Sequence, residues 1–122
     1  MKITSFYPLI VTKHEDELKE IFEALGFEMA HVKTDFGVIP SDNTVMKDSL
    51  DNRVELSNLT DAIKAEEDTV IIRVNVDDIE GYTNLLTNKG FKIVVRDESA
   101  SAKYCMLTSF SGLTIDLCEH FK

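Results

Sequence analysis

The chain has 122 residues, the size of one ordinary domain and enough to bury a core without disulfide or metal staples. Its formal net charge is −9, from 22 acidic against 13 basic residues, and no block of Lys or Arg interrupts the acid; phosphate backbones need concentrated positive charge, so nucleic acid is not an expected partner. No apolar run approaches the roughly 18 residues of a membrane span, and the two cysteines, Cys105 and Cys118, fall in apolar stretches where a free thiol behaves as a small buried hydrophobe. With no secretory h-region at the start, the expectation is a reduced, cytoplasmic protein.

The first predicted element is a strand in "SFYPLIVTK", where Pro8 points to an edge position or an irregularity near its start. "TKHE" then reads as a capping box, Thr12 with Glu15. Leu18, Ile21, Phe22 and Leu25 follow at helical spacing until Gly26 stops the helix. Three more strands are expected in "FEMAHVKTD", "NTVMKDS" and, after the turn "LDN", "RVELS". A polar stretch, "NLTDAIKAEED", links this to the second half.

The second half repeats the order of the first. "TVIIRVNV" is a strand, Asp77 and Glu80 form a second capping box, and Ile79, Tyr82, Leu85 and Leu86 make an apolar stripe ahead of Gly90. Strands in "GFKIVVRDE", "KYCMLTS" and, past the turn "FSG", "LTIDLCE" complete it. Gly26 and Gly90 are 64 positions apart, and Glu55 and Asp116 are 61 apart, so two copies of β-α-β-β-β align with small differences in their loops. The reading is a single α+β domain over 1–122, with module one about 1–58, a linker about 59–68 and module two about 69–122. Half the chain is too small to build a good core alone.

Side chains alternate between the two faces of a strand, so each strand's faces can be written down. Val70, Ile72, Val74 and Val76 oppose Ile71, Arg73 and Asn75. Leu113, Ile115 and Leu117 oppose Thr114, Asp116 and Cys118, while Val54 and Leu56 oppose Arg53, Glu55 and Ser57. The apolar faces suit the helix stripes, which leaves Glu55, Arg73 and Asp116 on a concave or solvent-facing surface.

The duplicated module, with "LGFE" closing the first helix, "RVELS" closing module one and "GLTIDLCEH" closing module two, resembles the vicinal oxygen chelate superfamily over essentially the whole chain. That group includes glyoxalase I, extradiol dioxygenases, and fosfomycin- and bleomycin-resistance proteins. The resemblance implies a curled mixed sheet, an incomplete barrel, with the helices outside, and a cup for a small molecule. It also implies a homodimer. In metal-dependent members one ligand comes from the first and fourth strands of each module, positions that carry over to Tyr7, Glu55, Ile71 and Asp116. Two slots that usually hold His or Gln thus hold a tyrosine and an isoleucine.

A catalytic divalent metal generally needs three protein ligands from His, Cys or carboxylate, and Glu55 with Asp116 falls short, although Mg²⁺ accepts fewer. No cofactor is expected; if any metal binds, Glu55 and Asp116 hold it. His120 shares the parity of Asp116 but stands about 13 Å further along the strand, and His14 and His31 read as surface or satisfied polar residues. The bland account of the two acids is an ion pair with Arg73 or Arg53. Tyr7 is either a hydrogen-bond donor to a ligand or a core filler with its hydroxyl satisfied. No catalytic residue is assigned. The favoured function is a metal-independent small-molecule-binding or sequestering protein whose cup is lined by Tyr7, Glu55, Arg73 and Asp116, the acidic surface favouring a cationic ligand. The alternatives are a metal-dependent lyase, isomerase or dioxygenase of the glyoxalase type and a homodimeric interaction protein. On the first reading Asp116→Ala alters binding with little loss of fold.

Overall fold

A computed structural model describes residues 1–33, 43–58 and 67–121, with no side-chain account of 31–33. The linker expected at 59–68 and the end of the second strand, Thr34 and Asp35, lie mostly or wholly outside the described residues. The elements are β1 (Ile3–Val11), α1 (Glu15–Ala24), β2 (Glu28–Lys33), β3 (Asn43–Lys47), β4 (Arg53–Ser57), β5 (Thr69–Val76), α2 (Ile79–Asn88), β6 (Lys92–Glu98), β7 (Ala102–Thr108) and β8 (Thr114–His120). Contacts divide the chain into two compact units, Tyr7–Val70 and Met1–Phe6 with Ile71–Lys122.

In the unit Tyr7–Val70 the strand order is β2-β3-β4-β1. β1 runs parallel to β4, with Leu9 opposite Glu55 and Val11 opposite Ser57, while β3 runs antiparallel to β4 and places Asn43 opposite Ser57 and Val45 opposite Glu55. The pairing of β1 with β4 begins at Leu9, directly after Pro8, whose ring nitrogen has no hydrogen to donate to a ladder. Met46, Val54 and Leu56 form a buried cluster covered by Ile10, Leu18, Phe22 and Phe27, so Leu18 and Phe22 of the predicted stripe cover the apolar sheet face, whereas Ile21 and Leu25 are 47% and 67% exposed.

The other unit repeats this pattern in the order β5-β8-β7-β6. β5 runs parallel to β8 with Arg73 opposite Asp116 and Asn75 opposite Cys118, and β7 runs antiparallel to β8 with Tyr104 opposite Cys118 and Met106 opposite Asp116. Val74, Val76, Ile79, Cys105, Leu107 and Leu117 make its apolar core, with Tyr82, Leu86 and Phe91 packed on it. The first residues of the chain join this unit because the Lys2 amide donates to Asp77 Oδ1 at 2.6 Å and the Asp77 amide donates back to the Lys2 carbonyl at 3.1 Å. That amide bond holds the Asp77 carboxyl below its ordinary value.

The duplication extends to details of the backbone. β2 carries an irregularity between Met29 and His31, and β6 carries one between Ile93 and Val95, 64 positions on. Both helices end in a Schellman arrangement: the Gly26 and Phe27 amides donate to the Glu23 and Phe22 carbonyls, and the Gly90 and Phe91 amides to those of Thr87 and Leu86. The accompanying apolar contact is present too, with the Phe22 and Phe27 rings edge to face at 5.5 Å. Gly26 and Gly90 sit at φ +100° and +98°, and a Cβ at either would meet no atom within 4 Å. The cost of a side chain there is therefore conformational. Gly26→Ala and Gly90→Ala are each expected to lose about 1–2 kcal/mol in urea denaturation, and an unchanged midpoint for both would contradict the repeat.

The helix starts differ from expectation. The cap of α1 is His14 and not Thr12; the Thr12 hydroxyl instead accepts from the His14 amide at 2.9 Å, and Glu15, Asp16 and Glu17 place negative charge against the positive end of the helix. α2 is capped by Asp78, one residue later than read, with Asp78 Oδ1 accepting from the Gly81 amide at 3.0 Å. The neighbouring Asp77 is engaged instead by the Lys2 amide. Gly81 follows from this cap: a Cβ there would come within 2.5 Å of the Asp78 carboxylate.

Candidate functional site

Each module has one apolar face under its helix and one polar face, and the residues singled out in the sequence lie on the polar faces. In module one Glu55 is wholly buried. Strand pairing brings its two oxygens to donors from both flanking strands: Tyr7 Oη donates to Oε1 at 3.2 Å, and Asn43 Nδ2 donates to Oε2. Ser57 Oγ in turn donates to Asn43 Oδ1 at 2.8 Å. Tyr7 from β1, Asn43 from β3 and Glu55 with Ser57 from β4 thus form one buried hydrogen-bonded chain, in which a carboxylate removed from water accepts from a phenol and an amide. Tyr7 is 5% exposed and takes the form of a large filler with its hydroxyl satisfied.

Module two solves the same problem with charge. Asp116 and Arg73, paired in register on adjacent parallel strands, are 2% and 0% exposed, and Arg73 Nη2 donates to Asp116 Oδ2 at 2.9 Å. The guanidinium also lies over the Tyr104 ring, 5.9 Å from its centre, a cation–π geometry. Burial pushes the Tyr104 phenol above its ordinary value of 10, so it is a neutral hydroxyl at physiological pH. On the same face Cys118 Sγ stands 3.6 Å from His120 Nε2. Ile71 is buried and carries no donor atom.

Of the two arginines named as partners for the acids, Arg73 engages Asp116, whereas Arg53 turns to Asp51 at 3.4 Å on the surface. The two free cysteines are buried on opposite faces, Cys105 in the apolar core, where burial pushes its thiol up, and Cys118 on the polar face. His14 is exposed at the N-cap position of α1 with no side-chain hydrogen bond to the helix, and the His31 side chain is outside the described residues. Among the described residues no group of three or more His, Cys, Asp and Glu side chains could hold a metal ion. An open groove of about 330 Å³ between Gly26, Met29 and Lys47–Ser49 is lined by none of Tyr7, Glu55, Arg73 and Asp116.

Sequence reasoning missed Asn43 and Tyr104. The repeat contained the signal, since the two are 61 positions apart, as are Glu55 and Asp116, and Ser57 and Cys118. The same place on the third strand thus holds an amide that donates to the acid in one module and, in the other, an aromatic ring against the arginine that pairs with the acid.

Neither a protein-family model nor a curated protein sequence matches the chain. Solved structures do. Methylmalonyl-CoA epimerase from Mycobacterium tuberculosis superposes with a TM-score of 0.71 at 12% identity, over 98% of this chain and 90% of that one. A hypothetical protein from Bacillus halodurans gives 0.69 at 16% identity, over 99% and 95%. A glyoxalase/bleomycin resistance protein/dioxygenase superfamily member from Vibrio splendidus gives 0.64 at 14% identity, over 97% and 99%. The chain has the α+β fold of the vicinal oxygen chelate superfamily, as the duplicated modules implied. At these identities the likeness is one of fold, and function has to be argued from the residues. None of the described helices is long and apolar enough to cross a membrane.

Proposed function

We propose that this chain is a glyoxalase/bleomycin-resistance-like small-molecule-binding or sequestering protein that works without a catalytic metal. One observation carries the reading: at the superfamily's ligand positions the acids are already engaged by side chains of their own modules. Tyr7 and Asn43 donate to the two oxygens of Glu55, and Arg73 donates to Asp116. The donor set also speaks against a catalytic cation, because Tyr7 is a phenol that gives its hydrogen to Glu55 and Ile71 offers no lone pair, whereas such a site generally takes three ligands from His, Cys or carboxylate. What remains in each module is a polar face set among apolar residues, phenol, amide and carboxylate in module one and guanidinium, carboxylate and phenol in module two, and in each the composition suits contact with a small organic molecule. The excess of acid over base supports a cationic or neutral ligand, and the proposal includes a cytoplasmic homodimer.

The test is metal content by mass spectrometry on untagged protein purified without chelators, followed by a thermal-shift screen of small cationic and aromatic compounds. Metal well below one equivalent and a compound that raises the melting temperature are the expected results. Near-stoichiometric Mn, Fe, Co, Ni or Zn would overturn the reading in favour of a metal-dependent lyase, isomerase or dioxygenase. Light scattering at micromolar concentration checks the dimer.

A further inference from the structure

The two modules differ in the residues that their first strands place on the polar face. At an offset of 64, Tyr7, Leu9 and Val11 of β1 correspond to Ile71, Arg73 and Asn75 of β5. Val11 is a buried aliphatic residue, 1% exposed, so this place in the fold accepts an apolar side chain without difficulty. In module two it holds an asparagine that is 8% exposed, whose Oδ1 is buried and accepts no hydrogen bond. An unmade hydrogen bond of this kind carries the desolvation cost of the group with nothing to offset it. By strand parity and register Asn75 shares its face with Arg73 and stands opposite Cys118, itself opposite Tyr104.

We infer that Asn75 is a ligand-contacting residue, its amide oxygen held ready for an N–H or O–H donor of a small neutral molecule. The surroundings set the class. Arg73 and Asp116 cancel each other's charge, and Tyr104 is a neutral phenol, so the face does not select for an ion. Ile71, Met106 and the Tyr104 ring supply apolar and aromatic surface on the same face. A planar apolar body bearing one hydrogen-bond donor meets both requirements. This inference rests on the binding reading above and deepens it.

Two measurements test it. The first needs no ligand: Asn75→Leu, nearly isosteric, and Asn75→Val, copying Val11, remove an unsatisfied acceptor and are expected to raise the melting temperature by about 5 °C. A lower or unchanged melting temperature in both variants would show that the oxygen is satisfied in solution by a bound water, and would overturn the inference. The second is an ¹⁵N NMR titration with benzamide and with N,N-dimethylbenzamide, which keeps the ring and carbonyl but has no N–H. Benzamide is expected to shift the Asn75 side-chain amide signals and the backbone signals of Arg73 and Cys118, the dimethyl compound at least about tenfold less, and Asn75→Leu to abolish the difference. Equal responses to the two compounds, or none to either, would overturn the role of Asn75 while leaving the wider reading to the metal analysis and compound screen.

Discussion

Asp116→Ala is expected to lose about 3–5 kcal/mol of stability, because it leaves the Arg73 guanidinium buried without the carboxylate that faces it in register. Against a typical total of roughly 5–15 kcal/mol, that places the variant close to unfolding at room temperature. Sequence reasoning expected the opposite, a binding defect with little loss of fold. The difference is that the two groups are 0% and 2% exposed, far from the water that makes surface ion pairs nearly neutral. Urea denaturation of Asp116→Ala, Arg73→Leu and the double variant Arg73→Leu/Asp116→Leu separates the cases. The double variant is expected to recover most of the loss, since apolar groups of similar volume leave no unpaired charge. A loss below about 1 kcal/mol in Asp116→Ala would mean that the pair contributes little to folding.

The second large effect is expected at Glu55. Glu55→Ala removes the acceptor from two buried donors at once, the Tyr7 hydroxyl and the Asn43 amide, and leaves a cavity beside them. With roughly 1–3 kcal/mol for each orphaned group, the expected loss is about 3 kcal/mol, read as a urea midpoint lower by more than about 1 M. Glu55→Gln keeps the shape and one acceptor oxygen, and is expected to lose less than half as much. If Glu55→Gln proves as damaging as Glu55→Ala, the negative charge itself is what the module requires, and a cationic ligand or metal regains support at this position. Equal and small losses in both variants would argue against the buried chain running from Tyr7 through Glu55 and Asn43 to Ser57.

The contrast between the modules bears on how such a fold acquires function. A carboxylate stands at the same place on the last strand of each, but module one compensates it with a phenol and an amide, and module two with an arginine backed by an aromatic ring. In module one Asn43 and Ser57 extend the hydrogen-bonded chain, whereas in module two Tyr104 and Cys118 stand at those places. The buried acceptor of Asn75 completes the difference, and it locates the proposed ligand contact on β5 and not on β1.

The amino-acid sequence by itself determined the two β-α-β-β-β modules, the glycine stops at Gly26 and Gly90, and the two faces of β4, β5 and β8. These are local properties, governed by a period of 3.6 or 2 and by the left-handed conformation that glycine alone adopts freely. Capping was legible only to within one or two residues, because Thr12, His14, Asp77 and Asp78 compete for the same helix ends and Lys2, far away in the chain, decides between the last two. Tertiary structure alone decided what neutralises each acid. Arg73 and Asp116 are 43 residues apart and Tyr7 and Glu55 are 48 apart, and whether such residues touch depends on strand order and register, which are set by the packing of whole modules and not by the residues flanking either side chain.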